Sequence, residues 1–167
     1  MSLTDEEIVA LAAELGRRLA ARNAFVTAAE SCTGGLVAGA ITAIAGSSGW
    51  FDRGFVTYSN DAKVELLGVP PATLAQHGAV SEATARAMAD GALRAGEADF
   101  AVAITGVAGP AGGTAAKPVG MVCFAWAVRN GLTTVATKLF PGDRASVRRA
   151  SVIIALQGLI DKIGPAQ

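Results

Sequence analysis

Hydrophobic residues recur at two different periods along the chain, and the period of each segment predicts its secondary structure. Apolar positions three and four residues apart follow Thr4, Ser81 and Asp143, each of which can cap the start of a helix. Thr4 and Glu7 also have the spacing of a capping box. The helices predicted in this way are 4–23, 36–45, a segment capped by Asn60 and ending at Gly68, 81–94, and a last helix after Asp143 whose buried stripe is Ile153, Leu156, Ile160 and Ile163.

Short apolar runs, several of them rich in β-branched or aromatic residues, lie between these helices and predict strands. They are 25–29, 54–59, 100–104, 121–128 and 132–139. Asn130-Gly131 is a strong β-hairpin signal between the last two runs, whereas Pro70-Pro71 is expected to end a helix. Alternating strands and helices with one hairpin predict a single domain over 1–167, a three-layer α/β/α sandwich around a mixed, mostly parallel sheet.

Composition and charge narrow the class of protein. Hydrophobic residues make up 51% of the 167 residues and aromatic residues 5%, so the core must consist mainly of aliphatic side chains. Lys+Arg and Asp+Glu number 14 each, which gives no basic excess for binding nucleic acid. Because the N-terminus is acidic and no apolar run is long enough for a membrane span, we expect a cytoplasmic protein with no membrane partner. Its two cysteines should be reduced.

The segment Ser31-Cys32-Thr33-Gly34-Gly35 lies where a predicted strand turns into a helix. Free backbone N–H groups at such a turn can bind an oxyanion, and Thr33, Gly34 and Gly35 are the candidate donors. Ser31 is then a candidate nucleophile. Two alternatives stay open at this point: Ser31 or Thr33 simply caps the helix, or Cys32 is the nucleophile instead.

A serine nucleophile needs a base, and the residues alone offer two. His77 is the only histidine of the chain, so a Ser-His-Asp arrangement must use it. Lys63 follows a strand at the start of a helix, where burial would lower its pKa and leave a neutral amine as the base. Tyr58 and Asn60 are close to Lys63 in sequence and are candidates for orienting a substrate or sharing a proton network.

The segment 105–114 is rich in glycine and too long for a simple connection between two elements. It predicts a loop whose backbone N–H groups contact a ligand directly. Thr105, Gly106 and Gly109 are its candidate binding residues, although it matches neither a Walker A loop nor a dinucleotide fingerprint. Arg144 and Arg148 are four residues apart on the last predicted helix. They form either a phosphate clamp or an ordinary solvated basic face.

Five short motifs in this order resemble the CinA C-terminal domain family, over roughly 8–163. They are A-E-S-C-T-G-G at 29–35, V-T-Y-S-N-D-A-K at 56–63, G-A-V-S at 78–81, T-G-V-A-G-P-A-G-G-T at 105–114 and K-P-V-G at 117–120. Longer members of this family carry an N-terminal molybdopterin-binding-like domain, so we expect this chain to be the stand-alone form.

The resemblance implies a nicotinamide-nucleotide amidase, which hydrolyses nicotinamide mononucleotide to nicotinate mononucleotide and ammonia in bacterial pyridine nucleotide recycling. The family's serine falls on Ser31 and its lysine on Lys63, with Tyr58 and Thr105 in matching motifs. It implies no metal and no cofactor, a small-molecule nucleotide as substrate, and a homodimer. The competence-linked family name leaves a second hypothesis, a non-catalytic nucleotide-binding module in competence or DNA-damage responses.

Overall fold

The computed structural model describes residues 5–165. The helices are α1 (Glu6–Ala21), α2 (Leu36–Thr42), α3 (Asn60–Leu67), α4 (Pro71–His77), α5 (Glu82–Arg94) and α6 (Arg144–Ile163), with a 3₁₀ turn at Ser47–Gly49. The strands are β1 (Val26–Glu30), β2 (Phe51–Val56), β3 (Phe100–Gly106), β4 (Met121–Val128) and β5 (Thr134–Leu139).

The strands form one mixed sheet in the order β2-β1-β3-β4-β5. β1 is parallel to both of its neighbours, β2 and β3, whereas β4 is antiparallel to β3 and β5. Asn130 has a positive φ of 58° in the turn between β4 and β5, as Asn-Gly turns require. The predicted hairpin and the predicted mixed sheet are therefore confirmed.

Alternate residues of the strands point to opposite faces of the sheet, and the two faces differ in side-chain size. Large side chains such as Val102, Phe124 and Trp126 pack against α1, α2 and α6. The other face is lined by small residues, including Ala101 and Ala125, and this lets α5 approach closely. Helices on both faces confirm the three-layer α/β/α sandwich.

The longer helices α1, α5 and α6 each have a buried stripe, as α6 illustrates by burying Val152, Leu156 and Leu159. Within the described range, no helix has the length and apolar character needed to span a membrane.

One helix was not expected from the sequence. α3 ends at Leu67, before Pro70-Pro71, as predicted, but a further helix, α4, begins at Pro71. Proline is well suited to the first position of a helix, because its missing N–H would have no partner there. His77 therefore ends a helix and does not lie in a loop.

Several predicted helix starts shift by one residue. Asp5 caps α1 by accepting from the Ile8 N–H, while Thr4 lies outside the described residues. The side chain of Ser59, and not that of Asn60, caps α3. Two neighbouring oxygen-bearing side chains can serve equally well from sequence, and the chain direction at the helix entry decides between them. Ile153 is only partly buried, and the stripe of α6 includes Val152 instead.

The parallel strands β1, β2 and β3 end at the same edge of the sheet. The segments that follow them are the Ser31 turn, Thr57–Ser59, and the glycine-rich loop after Gly106. These three segments meet at one place, as expected for a sheet of this kind.

Candidate active site

A cavity of about 310 Å³ lies at the carboxyl ends of β1 and β3. Of the residues that the sequence predicted, it is lined by Ser31, Tyr58, Lys63, Thr105, Gly106, Gly109 and Arg144. The rest of its wall consists of Cys32, Ala79, Val80, Val107, Ala108, Ala111 and Gly112. The cavity thus combines a polar floor with mostly small apolar walls, as ligand sites commonly do.

Ser31 and Lys63 are in direct contact at this cavity. Lys63 Nζ lies 3.1 Å from Ser31 Oγ, and the two residues are 32 apart in sequence. The same amine lies 2.8 Å from the Thr57 carbonyl oxygen and 3.5 Å from that of Tyr58. A neutral amine has two N–H donors and one lone pair. Two carbonyl acceptors and one hydroxyl therefore match its needs, with the lone pair left for the serine proton.

The surroundings of Lys63 favour its neutral form. The residue is 1% exposed, and burial lowers the pKa of its amine from the ordinary value because charging a buried group is costly. Within residues 5–165, Lys63 forms no salt bridge that would restore its charge. A lowered pKa with a hydroxyl in reach is the arrangement expected of a general base.

Cys32 lies next to Ser31, but its surroundings do not favour the reactive thiolate form. Burial raises the pKa of its thiol to about 12, and the nearby Glu30 carboxylate adds to this effect. At neutral pH the side chain is therefore an unreactive thiol. Between the neighbouring serine and cysteine, an alternative left open by the sequence, the contact with Lys63 and the raised thiol pKa favour Ser31 as the candidate nucleophile.

The turn after Ser31 is held by a buried carboxylate. Glu30 is 1% exposed and accepts hydrogen bonds from the N–H groups of Gly35, Val37 and Ala38 at the start of α2. A carboxylate here complements the positive end of the helix. Gly34 and Gly35 have φ angles of 58° and 97°, a region that glycine enters without strain.

These bonds correct part of the predicted oxyanion site. The Gly35 N–H donates to Glu30, and the Gly34 N–H donates to the Ser31 carbonyl oxygen, so neither is free for a substrate. Neither glycine lines the cavity, nor does the side chain of Thr33. In the part of the chain that the structure describes, the N–H groups of Cys32 and Thr33 donate to no other residue. Of these two residues only Cys32 lines the cavity, so its N–H group is the remaining candidate donor.

The two arginines of α6 have different contacts. Arg148 donates to the carbonyl oxygens of Cys32 and Thr33, at 3.1 Å each, and so braces the turn from outside. Arg144 lines the cavity and donates to the Gly109 carbonyl oxygen and to the Tyr58 hydroxyl, both at 3.0 Å. The predicted arginine pair is therefore split between a structural contact and a cavity contact.

The other predicted residues differ in their relation to the cavity: Thr105 lines it, whereas Asn60 and His77 do not. The Thr105 hydroxyl donates to the Ala79 carbonyl oxygen at 2.8 Å and so fixes a cavity wall. Asn60 is exposed on the first turn of α3, which Ser59 caps, and it does not line this cavity. His77 is exposed and also absent from the cavity wall, which removes the basis for a serine–histidine pair.

Sequence reasoning missed Glu30, Ala79, Val80 and the bracing role of Arg148. Glu30 carried one usable signal, since a carboxylate in an otherwise apolar strand directly before a helix start suggests a helix-dipole contact. Ala79 and Val80 carried only their place in the G-A-V-S motif of the family resemblance, and their position at the cavity wall comes from the tertiary fold alone.

The fold and this cavity define an α/β/α protein with a buried Ser31–Lys63 pair at the carboxyl edge of its parallel strands. The model of the CinA C-terminal domain family matches residues 8–163, and the chain belongs to this family.

Two curated relatives match nearly the whole chain. The nicotinamide-nucleotide amidohydrolase PncC of Escherichia coli K12 is 56% identical over 157 residues, which cover 94% of this chain and 95% of the relative. The protein of the same name from Pseudomonas putida is 52% identical, with 93% and 96% covered.

A solved structure shows the same fold. The competence/damage inducible protein CihA from Agrobacterium tumefaciens superimposes with a TM-score of 0.93 at 50% identity, covering 96% of this chain and 98% of that one. The α/β/α architecture described above is thus the architecture of the family.

Proposed function

We propose that this protein is a nicotinamide-nucleotide amidohydrolase that converts nicotinamide mononucleotide to nicotinate mononucleotide and ammonia through an acyl-enzyme on Ser31. The observation that carries the proposal is the buried Lys63 amine, 3.1 Å from Ser31 Oγ and satisfied by carbonyl oxygens. Nucleotide binding alone does not require a buried lysine amine in contact with a serine hydroxyl, whereas a serine nucleophile requires a base at that position. The activity named for the relatives with 56% and 52% identity supports the same substrate.

In the first step Lys63 acts as the base. Its lone pair takes the proton of the Ser31 hydroxyl while Oγ attacks the carboxamide carbon, and the carbonyl oxygen becomes an oxyanion. The free N–H group of Cys32, which lines the cavity, supplies a hydrogen bond to that oxygen. The turn is already fixed by Glu30 and Arg148, so little reorganisation accompanies the charge development.

In the second step the protonated Lys63 returns its proton to the leaving nitrogen. The C–N bond breaks, ammonia departs, and the acyl group remains on Ser31 as an ester. Water then attacks the ester with Lys63 again as the base, releasing the carboxylate and regenerating the hydroxyl. The reaction consumes one water and needs no other reactant.

The nucleotide portion is bound on the side of the glycine-rich loop. A second hollow of about 600 Å³ adjoins the cavity, since Ala108 and Arg144 line both. Arg144 is exposed and offers its guanidinium between the two, where a phosphate would accept from it. Binding energy from this remote group would align the carboxamide on Ser31, so free nicotinamide should be a poor substrate.

The proposal includes a cytoplasmic homodimer. The two cysteines, which the structure leaves unpaired, agree with a reducing, cytoplasmic site of action. Sedimentation equilibrium of the purified protein tests the dimer, and a mass equal to that of one chain would refute it.

The decisive experiment incubates the protein with nicotinamide mononucleotide and measures ammonia and nicotinate mononucleotide together. We expect equal amounts of both products, lost in Ser31→Ala. Ser48→Ala provides the matched control, because Ser48 is exposed in the 3₁₀ turn and does not line the cavity. Binding of the nucleotide without ammonia at any pH would refute the amidase and leave the binding module.

A further inference from the structure

The segment Gly78–Ser81, which we call the strap, connects α4 to α5 and forms part of the cavity wall. Ala79 and Val80 line the cavity, although neither belongs to a helix or a strand. A backbone segment without regular hydrogen bonds is ordinarily free to move. The strap is held by other means.

Side chains from three parts of the chain bind consecutive carbonyl groups at the strap. Lys117 Nζ donates to the His77 carbonyl oxygen. The hydroxyls of Ser81 and Thr84 both donate to the Gly78 carbonyl oxygen, at 3.0 and 2.7 Å. The third carbonyl, that of Ala79, accepts from Thr105. Lys117 belongs to the glycine-rich loop, Ser81 and Thr84 to the start of α5, and Thr105 to β3.

This arrangement fixes the strap relative to the nucleophile. Thr105 is on β3, and the Ile104 carbonyl oxygen just before it accepts from the Ser31 N–H at 2.9 Å. The hydroxyl that holds Ala79 and the carbonyl that holds Ser31 therefore belong to neighbouring residues of one buried strand. Thr84 adds a second anchor, and its side chain is fully buried in α5.

We propose that the strap is the wall against which the flat ring of the substrate packs, and that Thr84 and Lys117 are positioning residues that act through it. The inference rests on the proposed function in one respect: the attacked carboxamide is attached to an aromatic ring. That ring must lie beside Ser31, and the small apolar surface of Ala79 and Val80 is suited to one of its faces.

The test measures how fast Ser31 is sulfonylated by two reagents of the same chemistry. Phenylmethanesulfonyl fluoride carries a ring and methanesulfonyl fluoride does not. In both cases Oγ forms the S–O bond, fluoride leaves, and Lys63 takes the proton. We expect Thr84→Val, which replaces the hydroxyl with a methyl group, to lower the ratio of the two rate constants about tenfold through misplacement of the wall.

Three further variants make the test specific. Thr84→Ser keeps the hydroxyl and should restore the ratio. Thr133→Val is the matched control, because the Thr133 hydroxyl also bonds to α5, at Asp90, but does not touch the cavity. Lys117→Met removes the hydrogen bond to the His77 carbonyl oxygen without changing a buried residue, and it should also lower the ratio of the two rate constants.

The outcomes separate this proposal from the proposed function. An unchanged ratio in Thr84→Val and Lys117→Met, or an equal loss with both reagents, would overturn the role of the strap. Failure of the wild-type protein to release ammonia from nicotinamide mononucleotide would overturn the amidase alone, since the sulfonylation ratio is measured without that substrate. Absence of labelling at Ser31 with either reagent would overturn both.

Discussion

The turn that carries Ser31 and the glycine-rich loop at 107–120 face the same cavity but are held very differently. Glu30 accepts from the N–H groups of Gly35 and Val37, where the turn enters α2, and Arg148 donates to carbonyl oxygens of the turn. In the loop, hydrogen bonds close the base between Val107, Gly120 and Met121, while residues 110–116 are exposed. In the proposed mechanism the reacting serine thus lies on a fixed element, and the nucleotide would be bound by a more exposed segment.

The largest loss of activity is expected when Lys63 is replaced, because the proposed chemical step depends on its amine as the base. Lys63→Met keeps the length of the side chain and removes the base. We expect kcat to fall by about a thousandfold or more, within the usual range for general-base catalysis. Product formation with nicotinamide mononucleotide measures it, and a Lys63→Met protein with wild-type kcat would show that another group takes the serine proton.

The pH dependence of the wild-type protein follows from the lowered pKa of Lys63. Only the neutral amine is a base, so kcat/KM should rise with pH through the lowered pKa and then level off.

The stability of the folded protein should also increase with pH, because the pKa of Lys63 is lowered on folding. Between the lowered folded pKa and the ordinary value of 10.5, the unfolded chain binds more protons, so the free energy of unfolding increases with pH. Urea unfolding across this range should show the increase in the wild type and not in Lys63→Met.

A smaller loss is expected when the support of the turn is changed and its chemistry is kept. Glu30→Gln preserves the size of the side chain but replaces one acceptor oxygen with an NH₂ group that faces N–H donors. An unsatisfied buried group costs about 1–3 kcal/mol, which urea unfolding can measure. We expect kcat to fall about tenfold as the turn loosens. Unchanged kcat with reduced stability would mean that the turn does not need this carboxylate for geometry.

On the loop side, substitution should affect substrate binding more than the chemical step. Arg144→Met removes the guanidinium that links Tyr58 to Gly109, and KM should rise about tenfold because a charged hydrogen bond is lost. Arg149→Met is the matched control, since Arg149 is on the same helix but pairs with Asp5 and Glu7. A fall in kcat at constant KM in Arg144→Met would place this arginine in the reaction itself.

The same division explains what could be predicted from the sequence. The fold was predictable because its helices and strands follow local hydrophobic periods, and the nucleophile turn was predictable because it is a contiguous motif. The contact between Ser31 and Lys63 joins residues 32 apart, so spacing could not choose between lysine and histidine, and the family resemblance made that choice. The donors that hold the strap lie up to 40 residues away, so spacing could not assign it a role, although its residues at 78–81 belong to a motif of the family resemblance.

The smallest effect is expected at Cys32, although it lies next to the nucleophile and lines the same cavity. Burial holds the pKa of its thiol near 12, so the side chain takes no part in proton transfer at neutral pH. Cys32→Ala leaves the backbone N–H in place, and kcat/KM should stay within about threefold of wild type, at a stability cost of about 1 kcal/mol from lost packing. A large loss of activity with an intact fold would instead mean that the thiol contacts the reacting carboxamide. The fixed turn would then contribute two side chains to the chemistry where the geometry indicates one.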